Sequence, residues 1–403
     1  MFGILIIGAG QAAASFSASY RAVDPDTPIT LVGQEPSIPY QRPPLSKKYA
    51  LGEMSVAQLH LRPDTWYADQ NVTLITGQAV TEISREAKSA KLSDGRELSW
   101  DKLFFATGAD VRRLPESVTK GLSNILYLRS LADADALAEK LEAGKRIVIV
   151  GGGYIGLEAA AVCAKQGMNV TLLEAAPRIL QRVACAETAD WFRELHESEG
   201  VRIIEGTGLS HFEGHDGTLQ AAHLSDGTVL EADLALVGIG IVPNVNLAEA
   251  AGLRVATGIE VDHTGQTSDP AIYAAGDCAE FRYQGQPTRL ESVPNAIDQA
   301  TIAAQAMSGQ DVTYLVKPWF WSDQYDVKLQ IAGLNRGYDQ VVTRPCEKPR
   351  SAAHFYYREG QLCAVDAMNE PRVYMVSKRL LEAGKTIAPE QAMDPAFELK
   401  SLL

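Results

Sequence analysis

One stretch constrains the fold of this chain more than any other. It is Arg146-Ile-Val-Ile-Val-Gly-Gly-Gly-Tyr-Ile-Gly-Leu-Glu158, followed by Val170-Thr-Leu-Leu-Glu174. The apolar run Ile147 to Val150 reads as a buried parallel strand, and Leu157 to Ala164 reads as a helix. Between them Gly151, Gly153 and Gly156 spell G-x-G-x-x-G. The first glycine permits a tight turn, the second lets the backbone approach a pyrophosphate, and the third lets helix and strand pack closely. The helix start then offers unbonded N–H groups and a positive dipole end to phosphate. The second strand ends in Glu174, 18 residues after Gly156. That is near the ~20 expected for a carboxylate accepting from an adenosine ribose. Such a carboxylate repels a 2′-phosphate. Ala175, Ala176 and Pro177 follow it, and Arg178 is the nearest cation. The reading is NAD(H) over NADP(H).

The first thirty-five residues repeat the theme. Ile4-Leu-Ile-Ile-Gly-Ala-Gly-Gln-Ala-Ala13 is a strand leading into G-x-G-x-x-A at Gly8, Gly10 and Ala13, then a helix to about Arg21. Ile29-Thr-Leu-Val-Gly33 is the second strand, with Gly33 where the acid should stand. Gln34 and Glu35 follow and are the candidates for the ribose. Two dinucleotide folds in one chain form an internal repeat. One NAD does not need two, so the first is expected to keep FAD and the second to receive NAD(H).

Size and charge narrow the class. A chain of 403 residues exceeds one ordinary core, so two or three domains are expected. With 46% hydrophobic and 22% charged residues it reads as globular. A net charge of −13 argues against nonspecific nucleic-acid binding and against an anionic membrane surface. A strand begins almost at once and no apolar run approaches ~20 residues, so neither a signal peptide nor a membrane span is expected. Cys163, Cys185, Cys278, Cys346 and Cys363 are scattered without a C-x-x-C, which suits a reducing cytoplasm with neither disulfides nor a metal site.

Further along, Pro39, Pro43 and Pro44 argue against a regular element around Tyr40 to Lys48, where Arg42, Lys47 and Lys48 could meet phosphate or flavin, or simply face water. Asp101 to Ala109 and Glu231 to Asn244 share one shape, an apolar strand after an acidic start, and each is expected to close one dinucleotide fold. Asp94-Gly95 and Asp226-Gly227, just upstream, read as hairpin turns. Ile272 to Ala275 is a strand ending in Gly276-Asp277, and a helix opens at Glu291-Ser-Val-Pro-Asn-Ala296, its start offering positive potential to an anion such as reduced flavin. From Lys317 the chain turns aromatic and then alternates like an antiparallel sheet, with a turn at Glu359-Gly360 and a closing helix over Ser377 to Ala383. The expected layout is an FAD domain (1–108 and 242–316), an NAD domain (109–241) and a C-terminal α+β domain (317–403). The expected fold class is α/β, with two Rossmann-like dinucleotide-binding domains.

Several stretches together carry a resemblance. They are Tyr40-Gln-Arg-Pro-Pro-Leu-Ser-Lys47, Ala106-Thr-Gly108 with Arg113-Leu-Pro115, Gly151 to Glu158, Gly238-Ile-Gly-Ile-Val-Pro-Asn244, Thr267-Ser-Asp-Pro270 with Gly276-Asp277, Glu291-Ser-Val-Pro-Asn295 and Pro318-Trp-Phe-Trp-Ser-Asp-Gln324. In these the chain resembles the NADH-dependent ferredoxin reductases that feed bacterial oxygenases, over nearly its whole length. The resemblance implies the glutathione-reductase fold for the two dinucleotide-binding domains. The resemblance implies that Gly8, Gly10, Ala12, Ala13, Val80, Arg129, Ala106, Thr107 and Gly108 hold FAD. Arg42 and Glu291 join them; Asp277 accepts from the ribityl chain and Val293 sits at the flavin ring. Gly151, Gly153, Tyr154, Ile155, Gly156, Gly238, Ile239 and Gly240 hold NAD with Glu174. Glu158 lies beside the nicotinamide and pairs with Lys47, and Trp321 packs near the isoalloxazine. Lys47, Glu158 and Trp321 are the implied catalytic set. Glu158 could instead be a solvated helix charge, Asp277 a turn residue and Trp321 core.

The implied activity passes electrons from NADH through FAD to a two-iron two-sulfur ferredoxin. Disulfide reductases of this fold need paired cysteines, and peroxidase and oxidase relatives need one after the first fold, where Pro-Pro-Leu-Ser-Lys stands instead. An NADH oxidase or a quinone/monodehydroascorbate-type reductase is the enzymatic alternative. A redox-sensing interaction protein like apoptosis-inducing factor is the other. Lys328, Arg336, Lys378 and Arg379 are candidates by location for docking a ferredoxin.

Overall fold

In the computed structural model, which describes residues 2–403, the chain forms two compact units from interleaved segments. The first takes residues up to 41 with 56–110 and 241–318; the second takes 42–55, 111–240 and 319–403.

The first unit is built on a parallel sheet in the order Ile272–Ala274, Lys102–Phe105, Ile4–Ile7, Ile29–Val32, Val72–Ile75. These strands are near-continuous apolar runs because both faces are covered. One face takes the helices Gln11–Arg21 and Val293–Met307, through Phe16, Tyr20, Ala300, Ala304 and Met307. Phe16 stacks on Phe104 at 4.0 Å. Burying a side chain of that size contributes roughly 1.5–3 kcal/mol. The other face takes a three-stranded antiparallel sheet, Val80–Ser84, Ser89–Leu92 and Glu97–Ser99, around Trp100. The Asp94-Gly95 turn is present, with Gly95 at φ +88° and Asp94 accepting from the Arg96 N–H at 3.0 Å.

The second unit repeats this plan. Its parallel sheet runs Arg202–Glu205, Asn169–Glu174, Arg146–Val150, Leu234–Val237, Ile125–Leu126. Ile147 lies between Val170 and Leu234, as Ile4 lies between Ile29 and Lys102. The helices Tyr154–Lys165 and Ala186–Ser198 bury Leu157, Cys163, Ala189 and Phe192 against it. A second antiparallel sheet contains the Asp226-Gly227 hairpin.

The same unit ends in a five-stranded antiparallel sheet, ordered Trp319–Gln324, Val327–Gly333, Gln361–Met368, Ala352–Arg358, Gln340–Arg344. Glu359 and Gly360 turn between two of its strands with φ of 53° and 72°, the signs a tight hairpin needs. Two local expectations need correction. The closing helix is Pro371–Glu382, six residues earlier than read, because Pro371 fits a first turn whose N–H is unbonded anyway. The proline-rich stretch contains a 3-10 turn, Pro43–Ser46, for the same reason.

Asp366 is wholly buried and accepts from Thr188 Oγ1 at 2.8 Å and from the Tyr356 hydroxyl. Burial, partly offset by these two donors, raises its carboxyl to about 6. In the unfolded chain it titrates near the ordinary value, so the folded form holds the proton more tightly. The stabilisation this gives is complete below about pH 4 and is lost as pH rises through about 6. Urea unfolding is therefore expected to show wild type gaining roughly 2 kcal/mol on Asp366→Asn between pH 7.5 and 4.5. A gap that stays constant would contradict this.

Candidate active site

In the first unit the strand Ile4–Ile7 delivers the chain into a turn that only glycine can make. Gly8 sits at φ +108°, and a Cβ there would meet the Ala106 carbonyl oxygen at 2.1 Å. Gly10 caps the helix Gln11–Arg21 with no side chain to answer its first N–H groups, and no acid stands in the first turn. A Cβ on Gly10 would touch nothing within 4 Å. The space in front of this positive helix end is open to an anion the size of a pyrophosphate. Ala106, Thr107 and Gly108 are tied to Asn244: Thr107 Oγ1 donates to its carbonyl at 2.7 Å, and its amide donates to the Thr107 carbonyl at 3.0 Å. Gly276, at φ +81°, packs on Ala12 and donates to Gln299 Oε1, which sets Asp277 beyond the strand Ile272–Ala274. The helix Val293–Met307 starts at Ser292, whose hydroxyl accepts from the Asn295 N–H, and Glu291 pairs with Arg289 at 2.8 Å. Val80 opens the strand Val80–Ser84 and is half-buried.

The second unit has the same cradle. Gly151 lies at φ +111° with the Gly238 carbonyl 2.4 Å from any Cβ, Gly156 would drive a Cβ into the Gly151 carbonyl at 2.0 Å, and Gly153 faces open space at an uncapped helix start. Ile155 is 45% exposed there, an apolar side chain left for a ligand to cover. Tyr154 turns inward against Phe320, and among the described residues its hydroxyl has no partner. What it offers a nucleotide is therefore its backbone. Ile239 stands between Gly238 and Gly240, the latter at φ +104°. Glu174 accepts from the Gly152 N–H at 2.7 Å and the Ala176 N–H at 2.8 Å, leaving lone pairs for a ribose. Arg178 spends its guanidinium on the carbonyls of Ile179 and Ala184.

The two cradles differ by a reciprocal exchange. In the second, Gly152 makes room for Glu174, since a Cβ on it would stand 3.2 Å from the Glu174 Cβ. In the first, Ala9 occupies the loop and Gly33 makes room for it; a Cβ on Gly33 would meet the Ala9 Cβ at 2.5 Å. The Ala9 methyl holds the place an acid would need, so the acid moves along the chain. Glu35 is half-buried and accepts from the Tyr40 hydroxyl at 2.5 Å, while Gln34 is exposed.

Glu158 is not a solvated helix charge. It is 3% exposed. Lys47 Nζ reaches its Oε2 at 2.6 Å, Ser46 Oγ donates to the same oxygen at 2.7 Å, and Ser322 Oγ donates to Oε1 at 2.7 Å. The 3-10 turn Pro43–Ser46 presents Ser46 and Lys47, and the segment is further held by Tyr49 to Asp135 at 2.5 Å and Lys165 to Glu53 at 2.9 Å. A carboxylate this buried needs such donors. Arg42 donates to the Arg129 carbonyl at 2.8 Å, so these two also meet. Trp321 is half-buried beside Trp319 at 5.6 Å, on the strand face opposite Ser322. The sequence reading gave Ser46 and Ser322 no role. The available signal was parity: in Trp319–Gln324 the polar Ser322 and Gln324 share one face and are buried on either side of the more exposed Asp323.

The model of the family described as pyridine nucleotide-disulphide oxidoreductase matches residues 2–300, and a reductase C-terminal model matches 319–403. The chain belongs to the pyridine nucleotide-disulphide oxidoreductase family. A ferredoxin–NAD(P)(+) reductase of a Sphingomonas species is 39% identical, over 100% of this chain and 98% of that protein. Putidaredoxin reductase of Pseudomonas putida is 40% identical, over 99% and 96%. Among solved structures, the covalent putidaredoxin reductase–putidaredoxin complex matches with a TM-score of 0.96 at 40% identity, covering 99% of this chain and 97% of that one. The ferredoxin reductases of this oxidoreductase family use FAD and NAD(P)H. The two open glycine cradles fit one dinucleotide each. The family's description includes a disulphide; the five cysteines of this chain are all free. Burial pushes the Cys163 thiol up to about 12 and Cys185 to about 11, and raises Cys278, Cys346 and Cys363 as well. No helix among the described residues is long and apolar enough to cross a membrane.

Proposed function

We propose that this oxidoreductase takes electrons from NADH and delivers them through FAD to a two-iron two-sulfur ferredoxin that serves an oxygenase. The observation that carries the reading is the pair of open cradles in a chain whose five cysteines are free, three of them buried. Electrons must then leave from the bound cofactor rather than through a thiol pair. Near-full-length likeness to ferredoxin reductases supports the same acceptor. Bound FAD supplies the conversion between a hydride and single electrons.

The protein supplies position and charge. Gly8, Gly10, Ala12 and Ala13 cradle the FAD pyrophosphate, with Glu35 at the ribose and Gln34 beside it. Ala106, Thr107, Gly108, Val80, Arg42, Arg129 and Glu291 complete the site, Asp277 accepts from the ribityl chain, and the helix start at Val293 favours negative charge on the ring. Gly151, Gly153 and Gly156 do the same for NADH, framed by the backbone of Tyr154, by Ile155 and by Gly238 to Gly240. Glu174 selects against a 2′-phosphate. Glu158 orients the nicotinamide side and Lys47 balances its charge; Trp321 borders the flavin. In this reading residues 1–108 and 242–316 serve FAD, 109–241 serve NADH, and 317–403 serve the acceptor, in the cytoplasm.

Anaerobic NADH titration followed by acceptor comparison tests it. Turnover with ferredoxin should exceed turnover with oxygen or quinone by more than tenfold, and NADH should outperform NADPH. Equal rates with all acceptors would remove the ferredoxin reading. Lys328 and Arg379 are exposed on the C-terminal part. Reversing both charges should lower ferredoxin reduction and spare turnover with ferricyanide.

A further inference from the structure

A line of buried, hydrogen-bonded side chains leads away from Glu158. Ser322 Oγ lies 2.7 Å from Glu158 Oε1, and Gln324 Nε2 lies 3.1 Å from Ser322 Oγ. Gln324 Oε1 lies 2.8 Å from His196 Nε2, and the Tyr325 hydroxyl lies 3.0 Å from His196 Nδ1. Ser322, Gln324 and His196 are at most 1% exposed. The chemistry of the groups orients the line. A carboxylate only accepts, so the Ser322 hydroxyl donates to it. The Ser322 oxygen then accepts from the Gln324 amide N–H. The amide oxygen at the other end also only accepts, so His196 carries its proton on Nε2. Burial holds this imidazole down at about 4, so it is neutral and has a single N–H. Its bare Nδ1 accepts from Tyr325. Every donor in the line points toward Glu158.

The other tautomer reverses the line. With the proton on Nδ1, the bare Nε2 would draw the amide N–H of Gln324. The amide oxygen would turn to Ser322 and take the hydroxyl away from Glu158. The phenol hydroxyl of Tyr325 can donate or accept and suits either tautomer, so the direction of the line is set at its other end, by a carboxylate that can only accept.

We propose that Ser322, Gln324 and His196 are positioning residues that hold the Glu158 carboxylate in its pairing with Lys47, through a line of hydrogen bonds whose single direction places the His196 proton on Nε2. This rests on the reading of Glu158 as the group beside the nicotinamide. The plainer alternative is a buried network that only fastens the strand Trp319–Gln324 to the helices Tyr154–Lys165 and Ala186–Ser198. It would leave hydride delivery unchanged as long as the fold survives. The positioning role follows from where the line ends, on an ionised group whose hydrogen bonds respond most to a lost donor.

The test uses Ser322→Ala, which cuts the line next to Glu158 and leaves Glu158 and Lys47 in place. Nitrogen-15 NMR of the His196 ring, assigned with His196→Asn, reads the tautomer; stopped-flow reduction of the holoenzyme by saturating NADH reads its effect. Wild type should show the proton on Nε2, and Ser322→Ala a mixture, since no accept-only group then sets the direction of the line. Ser322→Ala should slow reduction about tenfold and Ser322→Thr should restore it, since a hydrogen bond to charge is lost and regained. A wild-type proton on Nδ1 would overturn the proposal. So would full-speed Ser322→Ala beside a slow Glu158→Gln, which would spare the role of Glu158. Full-speed Glu158→Gln would overturn both.

Discussion

Gly153→Val is expected to yield a yellow protein that NADH reduces only at far higher concentrations. The backbone at Gly153 is extended, with φ −82° and ψ 179°, a conformation valine adopts readily. A Cβ there meets no atom within 4 Å, so the apo fold bears no strain. The added methyl groups instead occupy the space before the helix start, where the pyrophosphate of NADH is proposed to lie. A loss of about 100-fold in NADH affinity, near 2.7 kcal/mol, is the expected scale. Dithionite should still bleach the flavin, and the unfolding midpoint should hold. Reduction at wild-type NADH concentrations would show that the nucleotide does not lie on this helix end. Gly151 would be a poor choice for the same question, since a side chain there collides with the Gly238 carbonyl and disturbs the sheet.

Gly10→Val should go further, to a folded but colourless protein. Gly10 also has ordinary dihedral angles, φ −104° and ψ −161°, and also faces open space. Its helix end is the one proposed to serve FAD, so blocking it is expected to remove colour rather than substrate affinity. The measurement is the flavin-to-protein absorbance ratio after purification and after reconstitution with excess FAD, beside a far-ultraviolet circular dichroism spectrum. Full flavin content would move the FAD site elsewhere. The pair of variants separates the two cradles: one loses its reductant, the other its colour.

The glycine loops, their strands and the duplicated hairpins were legible because each is local. Gly8 and Gly151 announce positive φ, and Asp94-Gly95 and Asp226-Gly227 announce turns within a few residues of their effects. Less legible was whatever depends on distant chain. Glu158, in the first turn after Gly156, reads as facing the cofactor side with a solvated charge as the alternative, and its partners are Ser46 and Lys47 more than a hundred residues before it and Ser322 far after it. The shift of the acid from Gly33 to Glu35 looked like a departure from pattern. It becomes an exchange only when Ala9 and Gly33 are seen in contact distance. Nothing local to His196 marks it out, because its partners Gln324 and Tyr325 lie more than a hundred residues later, at the end of the strand Trp319–Gln324 and in the turn after it.

The interleaving of segments has a consequence for synthesis. The stretch 111–240 is continuous, so the nucleotide sheet of the second unit can assemble as it leaves the ribosome. The first unit cannot, because its outer strand Ile272–Ala274 and the helix that covers Phe16 and Tyr20 end only at Met307. The parallel sheet begun first is thus closed after the one begun second, and a nascent chain halted near residue 250 would carry the second sheet whole and the first still lacking its outer strand.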